Sequence, residues 1–208
     1  MLTPILESQK LLAKYQETLN KYTQFVAYAE KFDLYRQGQS VTILIGKEIN
    51  NIIPFLFHFN NKEMKYGHYE NHFIMPTEDS NWLFLDQMYY HTPGTDNHYG
   101  MTYLFFPEAN MHPIDIELFA EEVMKLKRKE ALKQPSVCPV IILTHSIDLL
   151  DAFDLSICKY KENNPNETKE IVRVIRITME PSDPQKMNFV EFNENKLRIS
   201  MKNDIEIR

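Results

Sequence analysis

The sequence predicts an α/β protein: a mainly parallel sheet flanked by helices, extended by antiparallel β-hairpins and preceded by a long N-terminal helix. Three observations predict it. The runs VTILI (41–45), TYLFF (102–106) and PVIILT (139–144) are almost wholly apolar, as strands buried on both faces tend to be. Segments of helical periodicity separate these runs, and strand–helix alternation favours parallel pairing. Hydrophobic residues make up 43% of the 208 positions, enough for one core and one domain.

The elements follow in chain order. Residues 4–32 read as a helix, with Thr3 as a cap and Pro4 in the first turn. Leu12, Tyr15, Leu19, Tyr22 and Val26 recur at spacings of three and four, so one apolar stripe covers a core or binds a partner. VTILI then runs into NNIIPFLFHF, a helix if Pro54 lies in its first turn. Residues 63–92 are aromatic-rich and contain two strand candidates, HFIM and NWLFL, expected to be antiparallel. HTPGTDNHYG (91–100) reads as a polar loop before TYLFF. The segment IDIELFAEEVMKLKRKEALK reads as a helix, with acids early and lysines late to suit its dipole. SIDLLDAF reads as a short helix capped by Ser146. LSICKY and EIVRVIRI read as a hairpin across KENNPNETK, and NFVEFNENKLRIS as another. One domain, 1–208, therefore has an N-terminal helix in 1–34, an α/β core in 40–178 and a C-terminal hairpin in 186–208.

Charge and composition exclude some function classes. Net charge is −6, against binding nucleic acid by bulk charge. The basic run at 125–133 reads as the solvated end of a helix. No apolar run approaches the roughly 18 residues of a membrane span. The start MLTPILESQK lacks the basic and apolar regions of a signal peptide. Cys138 and Cys158 lie in apolar runs and read as buried thiols of a reducing compartment. A cytoplasmic protein is expected. Five glycines in 208 residues is about a third of the usual ~7% share. Loops that cradle phosphate through inward backbone N–H groups need glycine, so few can be present.

Two blocks carry a resemblance. The chain reads YLFFPEANMHP, then a helix, then VIILTHSIDLLDAF. This resembles the ABC-type and SMC-like ATPases of bacterial DNA repair and phage defence. In that family a strand enters a Walker B Asp-Glu, often followed by PE-x-x-LHP and a helix. The next strand ends in THS, which carries the switch histidine. Glu108, His112, Pro113, Thr144, His145 and Ser146 fall where that pattern puts them. VTILIGKEIN is similar to the strand and loop start that carry LIG-x-N-x-x-GKS. The resemblance covers roughly 40–60 and 100–160, about two-fifths of the chain. It implies a P-loop NTPase-like fold.

The departures are chemical. A P-loop reads G-x-x-x-x-G-K-[ST]. Counted from Gly46, the second glycine becomes Asn51, the lysine Ile52 and the Ser/Thr Ile53. Lys47 stands at the second loop position and cannot replace the missing lysine. The Walker B pair falls on Phe105 and Phe106, so both carboxylates are lost. No serine-glycine signature helix precedes TYLFF. Phosphoryl transfer depends on positioned charge, and removing one preorganised stabiliser typically costs about 10²–10³ in rate. The expectation is a pseudo-ATPase with no bound cofactor. Glu108, His112 and His145 would be vestiges of the switch region, and Gly46, Lys47 and Asn51 of the phosphate loop. The resemblance implies a protein partner, either an active ATPase of the same type or a second copy, because such ATPases work as dimers.

Each residue also has a plainer reading. His145 can be a strand-end histidine bonded to a neighbouring loop. Glu108 can pair with His112 across the turn or lie solvated. An alternative function is a metal-dependent hydrolase built on His68, His91, Asp96 and His98. No H-E-x-x-H supports it, and on a strand His68 and His72 would lie about 13 Å apart. Nucleotide binding without hydrolysis is disfavoured by Ile52 and Ile53.

Overall fold

A computed structural model describes residues 3–31, 41–46, 49–50, 53, 70–74, 99–131, 140–166, 168, 170, 172–194 and 196–197. Among them a single six-stranded sheet runs in the order β2-β3-β4-β1-β5-β6. Its strands are β1 (Val41–Ile45), β2 (Glu70–Ile74), β3 (Tyr99–Phe105), β4 (Val140–Thr144), β5 (Val172–Glu180) and β6 (Asp183–Asn193). The first five pair in parallel, and β6 runs antiparallel to β5. The helices are α1 (Thr3–Lys31), α2 (Pro113–Ala131) and α3 (Ile147–Asn163). The α/β class and the mostly parallel sheet agree with expectation. The three apolar runs lie side by side, with β4 between β3 and β1.

Burial explains the apolar runs. All five residues of β1 and all five of β4 are buried, because helices cover both faces. On one face Val41, Ile43 and Ile142 pack with Phe119 and Val123 of α2 and Phe153 and Ile157 of α3. On the other, Leu44, Ile141 and Leu143 pack with Phe25 and Tyr28 of α1 and with Ile49. Successive side chains of a strand point to opposite faces, so 41/43/45 and 42/44 divide between the layers. Each such side chain, fully buried, contributes roughly 1.5–3 kcal/mol.

Four expectations need correction. LSICKY is not a strand: it forms the second half of α3. Leu149, Leu150, Ala152, Phe153, Ser156 and Ile157 are the buried positions, a helical spacing that extends the SIDLLDAF stripe. Cys158 accordingly sits half-buried on a helix. NFVEFN belongs to β6, whose partner is β5 across a turn at Pro181–Ser182. The expected C-terminal hairpin is thus displaced toward the N-terminus. Glu194, Lys196 and Leu197 are helical, and 198–208 lie outside the described residues. The HFIM strand is parallel to β3, not antiparallel. NWLFL lies outside the described residues.

The fourth correction concerns α1. Its C-terminal third covers the edge strand β6. Tyr28 stacks on Phe189 (centroids 4.2 Å apart), and Phe25 lies 6.5 Å from the same ring. Gln24 Oε1 accepts the Met187 N–H at 2.7 Å, satisfying an edge donor that would otherwise invite another strand. Leu12 and Tyr15, expected on the same stripe, are 72% and 68% exposed. No helix among the described residues is long and apolar enough to cross a membrane.

A buried polar cluster ties α3 to β5 and to the residues after β6. Glu194 is fully buried. It accepts the Val172 N–H at 3.2 Å and meets Lys161 Nζ at 2.9 Å. Beside it in the sheet, Arg173 Nε donates to Thr42 Oγ1 at 3.1 Å.

Candidate functional site

The carboxyl ends of β1, β4 and β3 line up. Ile45 is level with Thr144, and Phe105 with Leu143. Beyond β1, Ile49 packs on the α1 face. Beyond β4, α3 packs on the opposite face. Two adjacent parallel strands thus send their chains to opposite sides. In open α/β sheets this leaves a crevice at the strand ends, where ligands bind. His145, the first residue after β4, lies in this position.

Register brings His145 to Gly46. Its Nδ1 lies 3.0 Å from the Gly46 carbonyl oxygen. A carbonyl only accepts, so Nδ1 is the donor in this contact. The same oxygen accepts the Ile49 N–H at 3.2 Å. On its other side the imidazole stacks on Phe106, with centroids 4.9 Å apart and planes 14° apart. Phe106 adopts a left-handed backbone (φ 49) and starts the 3-10 turn Pro107–Asn110. Its N–H donates to Leu143 O at 2.8 Å.

That turn points Glu108 back at β4. Thr144 Oγ1 donates to Glu108 Oε1. Thr144 Oγ1 in turn accepts the Ser146 N–H at 2.9 Å. Thr144 is fully buried. Glu108 Oε2 is buried without a hydrogen-bond partner among the described residues. Ser146 Oγ caps α3 by accepting the Leu149 N–H at 3.4 Å. The Asp148 carboxylate in the first turn suits the helix dipole.

The predicted residues therefore divide. Gly46 and His145 are bonded, and Glu108 joins them through Thr144, the neighbour of His145. His112 stands apart: it is exposed, and its Nδ1 accepts the Ile114 N–H at 3.4 Å at the start of α2. Glu108 spends its Oε1 on Thr144, so the expected pairing across the turn with His112 is replaced by a bond to the sheet. Lys47 and Asn51 lie outside the described residues, as do His68, His91, Asp96 and His98 of the metal alternative. Among the described residues, no group of three or more metal-ligating side chains converges. Thr144 is the residue whose role sequence reasoning missed. The THS motif contains it, but only the β3–β4 register brings it to Glu108.

The apolar replacements are also located. Phe105 is buried on the α1 face (1% exposed), and Phe106 occupies the space beside the imidazole. Ile53, which the resemblance sets at the P-loop Ser/Thr position, packs against the α1-face core. Gly46 has a packing reason to be glycine. Its φ is +150, and a Cβ there would collide with the Ile177 carbonyl of β5. The arrangement holds one imidazole and one carboxyl group. Its apolar rings, Phe105 and Phe106, stand where the resemblance expects the Walker B carboxylates. No family model, curated protein or solved structure matches the chain.

Proposed function

We propose that this chain is an ATPase-like scaffold without ATPase chemistry, a pseudo-ATPase that works as an interaction or regulatory subunit. One observation carries the reading: Phe106 stacks on His145 at the strand end where the resemblance expects the water-orienting glutamate. Adjacency of β1, β4 and β3 supports a P-loop NTPase-like core, because the histidine after the middle strand then reaches the loop after β1. Ile53 in the core supports loss of the magnesium site. The partner we assign is an active ABC- or SMC-like ATPase of bacterial or phage origin, in DNA maintenance or phage defence. The setting is cytoplasmic. These assignments follow the resemblance in the PEANMHP and THS blocks.

The test is direct. Calorimetry of the purified chain with ATP and magnesium is expected to show no binding, and a phosphate-release assay no turnover. Magnesium-dependent hydrolysis that disappears in His145→Ala would overturn the proposal. Affinity capture with the intact chain as bait is expected to recover an ATPase with complete Walker motifs.

A further inference from the structure

The exposed large hydrophobic residues among the described positions fall into two groups on opposite faces of the sheet. Leu11, Leu12, Tyr15 and Leu19 lie on α1, at 69%, 72%, 68% and 42% exposure. Ile114 and Leu118 lie on α2, and Ile147 and Leu155 on α3, at 64%, 46%, 37% and 41%. The second group belongs to two helices that pack side by side, each turning its other side to the core. Exposed apolar clusters on a soluble surface mark contact sites.

The two groups carry opposite charge. Around the α1 stripe stand Lys10 and Lys14, both exposed; Glu17 is taken by Lys21 at 2.7 Å. The N-terminal parts of α2 and α3, which carry these apolar residues, are acidic, and the cations of both helices lie toward their C-terminal ends. From 113 to 124 and from 147 to 158 there is no lysine or arginine. Lys125 holds Glu121 and Glu122 at 3.2 and 2.7 Å, while Glu117, Asp148 and Asp151 are exposed. Partial burial, then the charges of Asp148 and Asp154, pushes the Asp151 carboxyl above its ordinary range. The two neighbouring carboxylates add to the effect of burial. The N-terminal part of α1 gains little from its own contacts. Ion pairs and polar pairs four residues apart add only about 0.2–0.5 kcal/mol each, and most helical stability comes from packing an apolar face.

We propose that α1 of one copy docks on the α2–α3 surface of a second copy. Apolar side chains meet apolar side chains, and Lys10 and Lys14 face Asp148 and Asp151. Because α1 and α2–α3 lie on opposite faces of the sheet, the two surfaces of one copy cannot meet each other. The contact is heterologous, so association continues into a ring or a filament instead of stopping at a symmetric dimer. This inference is independent of the pseudo-ATPase reading. The contact is partly electrostatic, so association declines with salt.

Analytical ultracentrifugation of the full chain tests it. Wild type is expected to form species beyond a dimer as concentration rises, and salt to reverse this. Leu12→Glu with Tyr15→Glu breaks α1; Asp148→Lys with Asp151→Lys breaks the acidic surface. All four positions are exposed, and circular dichroism checks that each variant folds. Each variant alone is expected to lose association by about tenfold or more, the value of one 1.4 kcal/mol step. Mixed together, they are expected to form a 1:1 complex and nothing larger, since one intact surface remains in each. The proposal is overturned if wild type stays monomeric, or if the acidic-surface variant self-associates as wild type does, which would mean α1 pairs with α1. A mixture that stays monomeric overturns it as well.

Discussion

Replacing Gly46 with alanine separates a packing role from a phosphate-binding role at the first loop. The added methyl would sit 3.1 Å from the Ile177 carbonyl carbon and 3.4 Å from its nitrogen, with the carbonyl oxygen nearer still. Carbon atoms pack best at about 3.5–4.0 Å, so β1 and β5 must part. The residue before the glycine, Ile45, is level with Arg176, so the end of this parallel ladder loosens. Holding alanine at φ +150 costs roughly 1–3 kcal/mol. Each ladder hydrogen bond lost adds about 1 kcal/mol. The expected total is about 3 kcal/mol or more, from a whole-domain stability of roughly 5–15 kcal/mol. For a chain of this size that lowers Tm by about 6–12 °C. Urea denaturation followed by circular dichroism measures it, with the midpoint falling and the slope unchanged. The substitution also moves the carbonyl that holds His145 Nδ1 at 3.0 Å, so the imidazole resonances should shift by NMR. A loss below about 1 kcal/mol would refute the packing argument.

Three further perturbations follow from the same structure. Thr144→Val keeps the shape but strips Glu108 Oε1 and the Ser146 N–H of their partner. It should cost about 1.5–3 kcal/mol by urea denaturation, with Thr144→Ser recovering most of it. Lys161→Met removes the ammonium 2.9 Å from the fully buried Glu194 and should cost about 2–4 kcal/mol. The double variant Lys161→Met with Glu194→Met should recover much of that loss. Asp151→Asn should raise the thermal midpoint at pH 7. Its carboxyl is raised in the folded chain, first by partial burial and then by Asp148 and Asp154, so ionisation penalises folding. That penalty is absent at pH values where the carboxyl is protonated in both states. It appears as pH rises past the unfolded value. Melting curves should therefore converge near pH 3, about a unit below an ordinary aspartate, and separate toward neutrality.

The parts of the fold legible in the sequence were those with a single physical solution. VTILI, TYLFF and PVIILT are too short and too uniformly apolar for surface helices, and strands covered on both faces accommodate them. LSICKY was misread because a six-residue apolar run has no period of its own. Its helical state comes from continuity with Leu149 to Phe153 and from packing on the sheet. The length of α1 was legible from its stripe, but not where the stripe is covered, since β6 meets only its C-terminal third. In the site, PEANMHP and THS marked Glu108, Thr144 and His145. Their partners were invisible, because Gly46 and His145 are 99 positions apart and Thr144 and Glu108 are 36 apart.

The sequence by itself determined the class of the fold and the absence of a G-x-x-x-x-G-K-[ST] pattern. Both depend on side-chain type at fixed spacing: an isoleucine cannot hold magnesium wherever the backbone goes. Tertiary structure decided which atoms meet. The parallel register of β1 on β4 and of β4 on β3 levels three strand ends. That levelling joins an imidazole to a carbonyl and a hydroxyl to a carboxylate. The charge and greasiness of each helix were written locally, whereas the division of α1 from α2 and α3 onto opposite faces was set by the sheet between them.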